Sequence, residues 1–383
     1  MAASEIERDP AENDPIGALL ETHEVVVCVG SGGVGKTTTS AAVALEAAAR
    51  GRRVCVVTID PARRLADAMG LDSTAARGSE PLMVAGPWSG QLWAVMLDTR
   101  ATFANLITTY APSPAQARRI LENRFFRNIS DALSGTHEYM AMEKLFELHN
   151  DDRFDLVVVD TPPTTNALEF LDAPDRITRF LDHRLYKMLV TPSGGLARAM
   201  NLAAQTFLRS ISRVVGASVV DDVIEFFANF EGMEDGFRAR AVAVRELLAS
   251  DDTTFMLVTV PRRDLAEEAA GFVNDLGAAG IGIDALIVNR VHPRFSDLPL
   301  DQLERRLDRC TGTLLEPLAT ALLDSSRLAD AEVDHLASLT AVLPDAPVRQ
   351  VPFLDADVHD LAGLAGLARH LFPQRLGRPE PNR

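Results

Sequence analysis

Cysteine is scarce in this 383-residue chain: Cys28, Cys55 and Cys310 are the only three, and no two form a CxxC pair. A disulfide framework and an in-chain structural zinc site are therefore disfavoured, and the first two thiols lie in apolar runs where burial is expected. Lysine is equally rare. Lys36, Lys144 and Lys187 are the full set, so arginine supplies nearly all the positive charge and few ammonium groups exist for any role that demands one. Long apolar runs are missing, since no stretch reaches the roughly 18 residues that a membrane span needs. The opening MAASEIERDPAEND is acidic where a signal peptide would be basic. A cytoplasmic chain is expected. Basic residues number 38 against 54 acidic, a formal charge of -16, which argues against nucleic acid as a partner.

What the chain does have is apolar content, 47% against 24% charged, enough for one large or two modest globular domains. Residues 1–22 are polar and acidic and contain Pro10 and Pro15, so a flexible leader is expected before a domain spanning 23–383. Short β-branched or apolar runs at 24–29, 54–59, 92–97, 156–159, 255–260, 285–288 and 348–351 read as buried strands. Helical patterns follow several of them, notably 35–50, 264–279 and 358–368. Repeated β-then-α units predict an α/β fold with a mostly parallel, doubly wound sheet covered by helices on both faces. The interval from about 101 to 250 departs from this alternation. Apart from the strand ending at Asp160 its patterns are helical, with Leu196, Met200, Ala203, Phe207, Ile211 and Val214 in one stripe and Phe237, Ala241, Val244 and Leu248 in another. Helical insertions at about 101–150 and 166–250 are the reading.

One motif carries chemistry in full. Gly30-Ser31-Gly32-Gly33-Val34-Gly35-Lys36-Thr37 satisfies GxxxxGK[ST] between a predicted strand and a predicted helix, with Thr38 continuing into that helix. Glycines let the loop curl so that successive N–H groups face inward, the helix start adds its own unpaired donors, and Lys36 places a point charge at the outer phosphates. The Thr37 hydroxyl is offered to Mg²⁺. These residues predict a P-loop NTPase that binds a nucleoside triphosphate.

Two aspartates end apolar strands and can converge on the same site. Asp160 closes the 156–159 run ahead of Thr161-Pro162-Pro163-Thr164-Thr165, and Asp60 closes the 54–59 run ahead of Pro61-Ala62-Arg63-Arg64. Asp160 suits the magnesium shell, whereas Asp60 suits orienting or deprotonating the attacking water. Each also has a plain reading, as a strand-ending or loop-anchoring carboxylate.

Taken in this order, the motifs resemble those of the arsenite-transporting and tail-anchored-protein-targeting ATPases, the ArsA-like branch of dimeric P-loop proteins related to the Min and Par ATPases. The resemblance makes Asp60-Pro61-Ala62 a first switch, Asp160-Thr161 a second, Asn289 in Leu286-Ile287-Val288-Asn289-Arg290 an adenine support, and Val351-Pro352-Phe353 a second base-side loop. It implies an Mg-ATPase using ATP and Mg²⁺, whose dimer rearrangement handles a protein or membrane-associated client above the sheet. Phe226, Phe227, Phe230 and Met233, and separately Phe125, Phe126, Met140 and Met142, could line a client surface; ordinary helix packing is the favoured reading of the same residues.

Two departures from the family pattern matter. Its characteristic loop carries a lysine directly after the first glycine, reaching the partner's phosphates, and Ser31 stands there instead. The chain is therefore expected either in a heterodimer with a paralogous ATPase that supplies the lysine, the favoured arrangement, or in a weaker homodimer. No cysteine lies between Cys55 and Cys310, so a thiolate metalloid or zinc site in the helical part is disfavoured, and His137, His149 and His183 are too irregularly spaced to replace it. The alternatives are a Min/Par-like positioning ATPase with peripheral membrane association and a catalytically weak regulatory subunit. The tail at 371–379 mixes basic and apolar residues but has too many prolines and a glycine for a membrane helix.

Overall fold

A computed structural model of the chain describes residues 14–59, 64–71, 80–124, 126, 136–162, 173–182, 222 and 225–373. Eight strands form one sheet: β1 (Val25–Val29), β2 (Arg53–Thr58), β3 (Leu82–Val84), β4 (Gln91–Met96), β5 (Leu156–Asp160), β6 (Thr253–Thr259), β7 (Ala285–Val291) and β8 (Val348–Pro352). Their order is β3-β4-β2-β5-β1-β6-β7-β8, parallel throughout except for the antiparallel β3–β4 pair. The sequences VVVCV and LVVVD of β1 and β5 are buried at every position, as a central parallel strand with helices on both faces requires. The seven expected strands form with ends shifted by one to three residues. The short edge strand β3 was not legible in the sequence.

Alternate residues of β1 point to opposite layers. Val26 and Cys28 pack against α1 (Pro15–Thr22), α2 (Lys36–Ala49), α3 (Arg64–Ala68) and α12 (Leu361–Leu371). Alanines 41, 42, 44, 47 and 48 of α2 are fully buried, and their small side chains let this helix lie close on the sheet. Val25, Val27 and Val29 face the other layer, which holds α4 (Thr99–Tyr110), α6 (Thr136–His149), α8 (Glu234–Leu248), α9 (Arg263–Ala278) and the C-terminal half of α11 (Glu316–Val342). Burial pushes the Cys28 thiol up to about 12 and raises that of Cys55 as well, so both stay neutral.

Residues Pro15–Thr22 correct the last part of the expected leader, whose residues 1–13 lie outside the described residues. Asp14 caps this helix by accepting from the Gly17 N–H at 3.1 Å, Pro15 opens it, and Ile16 and Leu20 are buried. Burying each of those two side chains stabilises by about 1.5–3 kcal/mol, enough to hold a two-turn helix that composition alone reads as loose. The segment is also tied by charge. Arg50, whose side chain is 5% exposed, pairs with Asp14 at 2.6 Å, Glu46 at 2.9 Å and Glu21 at 2.9 Å, and its guanidinium lies 5.5 Å from the centre of the Phe372 ring.

Between β4 and β5 run α4, α5 (Pro114–Glu122) and α6; between β5 and β6 lie α7 (Ala173–Asp182) and α8. The predicted stripe Phe237, Ala241, Val244 and Leu248 is the buried face of α8. The stripe at 196–214 lies outside the described residues. Phe126, Met140, Met142, Phe226, Phe230 and Met233 are buried, with Phe126, Phe226, Phe230 and Phe237 in successive ring contact at 6.3, 5.0 and 5.6 Å. They fill the core of the helical part, in agreement with the helix-packing reading and not with a client-lining role. Phe227 packs against that core half-buried, and Phe125 lies outside the described residues. A helical pair that sequence analysis did not anticipate, α10 (Leu300–Cys310) and the 27-residue α11, joins β7 to β8.

Arg50→Met should lower unfolding stability by about 3–5 kcal/mol, because Asp14 and Glu46 keep their burial and lose their partner; denaturant midpoints of the two proteins check it. A thiol reagent at pH 8 should titrate one cysteine, Cys310, in the native chain and all three after denaturation, since Cys310 is only partly buried.

Candidate functional site

The glycine loop leaves the end of β1, at the centre of the sheet where the strand order turns from β5 on one side to β6 on the other, the crevice at which doubly wound folds bind ligands. Its path depends on two glycines. Gly30 has φ +147° and a Cβ there would sit 2.1 Å from the Val258 carbonyl oxygen of β6; Gly35 has φ +98° and a Cβ there would sit 2.3 Å from the Asn289 amide nitrogen. Neither position admits a side chain. Gly35 then caps α2, whose first N–H groups have no partner within the helix and are exposed to whatever lies in the loop. Gly32 and Gly33 are exposed, Val34 is buried, and Ser31 is buried at the loop's floor.

Lys36 folds back across this loop, its ammonium donating to the Gly30 and Ser31 carbonyls at 2.7 Å each. A phosphate oxygen can replace those carbonyls without stranding the charge. Thr37 donates its hydroxyl to Asp160 Oδ2 at 2.7 Å, and Thr58, near the end of β2, donates to the same oxygen at 2.7 Å. Asp160 is fully buried where β5 pairs with both β1 and β2, opposite Cys28 on one side and Thr58 on the other. Thr161 adds a hydroxyl bond to the Cys28 carbonyl at 2.8 Å, fixing the start of the loop after β5. Thr38 is half-buried one residue further into α2.

Asn289 comes to the loop from the other side. Its side-chain amide donates to the Val34 carbonyl at 2.9 Å and its carbonyl accepts from the Arg290 N–H at 2.9 Å, with Arg290 at φ +59°. Pro352 pairs with Val291, and the Phe353 N–H donates to the Val291 carbonyl at 2.8 Å, so the base-side candidates sit at adjacent strand ends. Phe353 is half-exposed. Asp60 and the 163–165 part of the second switch lie outside the described residues. Ile59, the last described residue before Asp60, donates its N–H to the Asp160 carbonyl at 3.3 Å.

The donor set suits a hard cation: a threonine hydroxyl and a carboxylate, both oxygen, at the foot of a phosphate cradle. Among the described residues no three His, Cys, Asp or Glu converge on a metal position. Mg²⁺ held here would therefore complete its shell with phosphate oxygens and water. Thr58 was missed by sequence reasoning, because a threonine inside RVCVVT reads as a β-former; only the partner across the strand pair gives its hydroxyl a purpose.

Gly35→Ala should weaken Mg-ATP binding tenfold or more, since about 1–2 kcal/mol of left-handed backbone strain falls on the loop together with the clash at Asn289. Calorimetric titration of the variant against the wild-type chain reads this directly.

A sequence profile of the anion-transporting ATPases matches residues 23–311. Curated relatives agree. The chain is 26% identical over 286 residues to "ATPase GET3" of Malassezia globosa, covering 74% of this chain and 78% of the relative. It is 27% identical over 349 residues to "ATPase GET3B" of Arabidopsis thaliana, covering 85% and 75%, and 27% identical over 274 residues to "ATPase ASNA1 homolog" of Babesia bovis, covering 71% and 67%. Among the described residues no helix is long and apolar enough to cross a membrane. With the profile running through the glycine loop, Asp160 and Asn289 and over most of the chain's length, the protein belongs to the anion-transporting (ArsA) ATPase family.

Proposed function

We propose that this chain is an Mg-dependent ATPase that works in a dimer and couples ATP binding and hydrolysis to a rearrangement that handles a protein or membrane-associated client. The observation that carries the nucleotide half of this reading is the meeting of Thr37 and Thr58 on one buried oxygen of Asp160, directly below the glycine loop and Lys36. In this reading Lys36 and the loop N–H groups hold the β- and γ-phosphates, Thr37 and Asp160 organise Mg²⁺, and Asp60 orients water. Asn289, Pro352 and Phe353 hold the base. Phosphoryl transfer asks mostly for alignment and charge neutralisation, which this oxygen-and-ammonium set supplies.

The client half rests on the family and its relatives, whose names give the ATPase and no more. The buried phenylalanines and methionines of the helical part are its core, so any client surface must use other residues.

Ser31 favours a hetero-dimeric arrangement. Its side chain carries no charge, is buried, and sits beside the backbone carbonyl that accepts from Lys36, so the chain brings no ammonium of its own to a facing nucleotide from this position. The partner in this proposal is a paralogous ATPase that retains a lysine after its first loop glycine. Mixing the two purified chains should raise ATP turnover at least several-fold above the sum of the separate rates, and substituting the partner's lysine should remove the gain. A stable mixed dimer with no gain would make the chain a catalytically weak regulatory subunit, and a homodimer that turns over ATP fully by itself would overturn the heterodimer.

A further inference from the structure

His292 lies one residue beyond β7, at the same edge of the sheet as Asn289 and Phe353, and none of the motifs above contains it. Its ring stacks on Phe353 with centroids 5.2 Å apart and planes 13° from parallel. Its position is set by Glu332, near the middle of α11. The Glu332 carboxylate meets His292 twice, accepting the backbone N–H at 2.8 Å and lying 2.6 Å from ring Nδ1. Glu332 is buried and its carboxylate holds His292 at two points, while the His292 side chain is 39% exposed, so the imidazole is fixed at one edge and open to solvent at the other. Just before it on α11, Asp330 pairs with Arg294, which also donates to the Ser296 and Leu298 carbonyls. The segment after β7 is therefore fastened to the long helix at two points.

Phe353 is by contrast 56% exposed, and His292 occupies one of its faces. A phenyl ring at a strand end is free to turn about its side-chain torsions; a neighbouring ring fixed by a buried carboxylate restricts that freedom. Through Val291, which pairs with Pro352 and accepts the Phe353 N–H, the same strand end is two residues from Asn289 and so from the Val34 carbonyl of the glycine loop.

We propose that His292 and Glu332 are positioning residues for the nucleotide base: Glu332 fixes the His292 ring, His292 holds the Phe353 ring as a preset stacking platform, and the α10–α11 pair thereby contributes to base affinity. The inference rests on the reading of Phe353 as a base-side residue. A fixed aromatic face binds a planar base without first losing its own rotational freedom, whereas a loose one does not. No proton or group transfer is involved, and the effect is confined to ligands that carry a base.

Full-length wild-type chain and the variants His292→Ala, His292→Phe, Glu332→Gln and Phe353→Ala would each be titrated with Mg-ATP and with Mg-tripolyphosphate, a ligand with the same charged tail and no base. Phe353→Ala should weaken ATP about tenfold, the scale of one lost base-stacking contact, and leave tripolyphosphate unchanged. His292→Ala and Glu332→Gln should weaken ATP about three- to fivefold, again with tripolyphosphate unchanged, and His292→Phe, which keeps a flat ring against Phe353, should recover at least half of the loss. A general loosening of the fold would weaken both ligands together. Equal losses for the two ligands, or ATP affinity unchanged in His292→Ala and Glu332→Gln while Phe353→Ala is impaired, would overturn the positioning role alone. An unchanged ratio of the two affinities in Phe353→Ala would overturn the base-side reading and this inference with it.

Discussion

One buried carboxylate organises the centre of this molecule. Asp160 stands where β5 runs between β1 and β2, and its Oδ2 accepts hydroxyl bonds from Thr37 of the helix after the glycine loop and from Thr58 near the end of β2. A buried carboxylate is tolerated where hydrogen bonds replace water, and the two threonine hydroxyls supply them to Oδ2 at the foot of the glycine loop. Those bonds join α2 and β2, consecutive in the sequence, to β5, about one hundred residues further on. A change in what the carboxylate faces is felt at once by α2 and by the strand that leads to Asp60.

The glycine loop is supported from both sides in the same manner. Lys36 satisfies itself on the Gly30 and Ser31 carbonyls, and Asn289 reaches from β7 to the Val34 carbonyl. The loop thus keeps its curled path by internal bonds, and phosphate entering it exchanges one set of acceptors for another. Preorganisation of this kind lowers the cost of ordering a loop on binding. It also explains why Gly35 faces Asn289 so closely: the amide occupies the volume that any Cβ would need.

Sequence carried the centre of the fold further than its margins. Runs such as VVVCV and LVVVD announce buried parallel strands, and GSGGVGKT has a single well-understood geometry, so β1, β5, the loop and α2 were legible from residue order alone. Asp160 was legible because four apolar residues precede it. Thr58 was not, since its role depends on a partner about one hundred residues away. The helix α11 escaped for a different reason. Its buried positions include Ser326, Ala329 and Glu332 beside Leu323, Leu336 and Leu339, a narrow seam with small and charged members that dilutes the hydrophobic period. Near the start of the chain, Ile16 and Leu20 are too few among acidic neighbours to outweigh a composition typical of a loose leader; their burial, the cap at Asp14 and the ion pairs of Arg50 together hold that helix.

The same guanidinium has a consequence for the architecture of the chain as a whole. Arg50 pairs with Asp14, which caps α1, and lies 5.5 Å from the centre of the ring of Phe372, which follows α12. The cap of α1 and the residue that follows α12 are thereby keyed to one interior cation at the end of α2. Two helices from distant parts of the sequence thus share, on one face of the sheet, an anchor that belongs to neither of them.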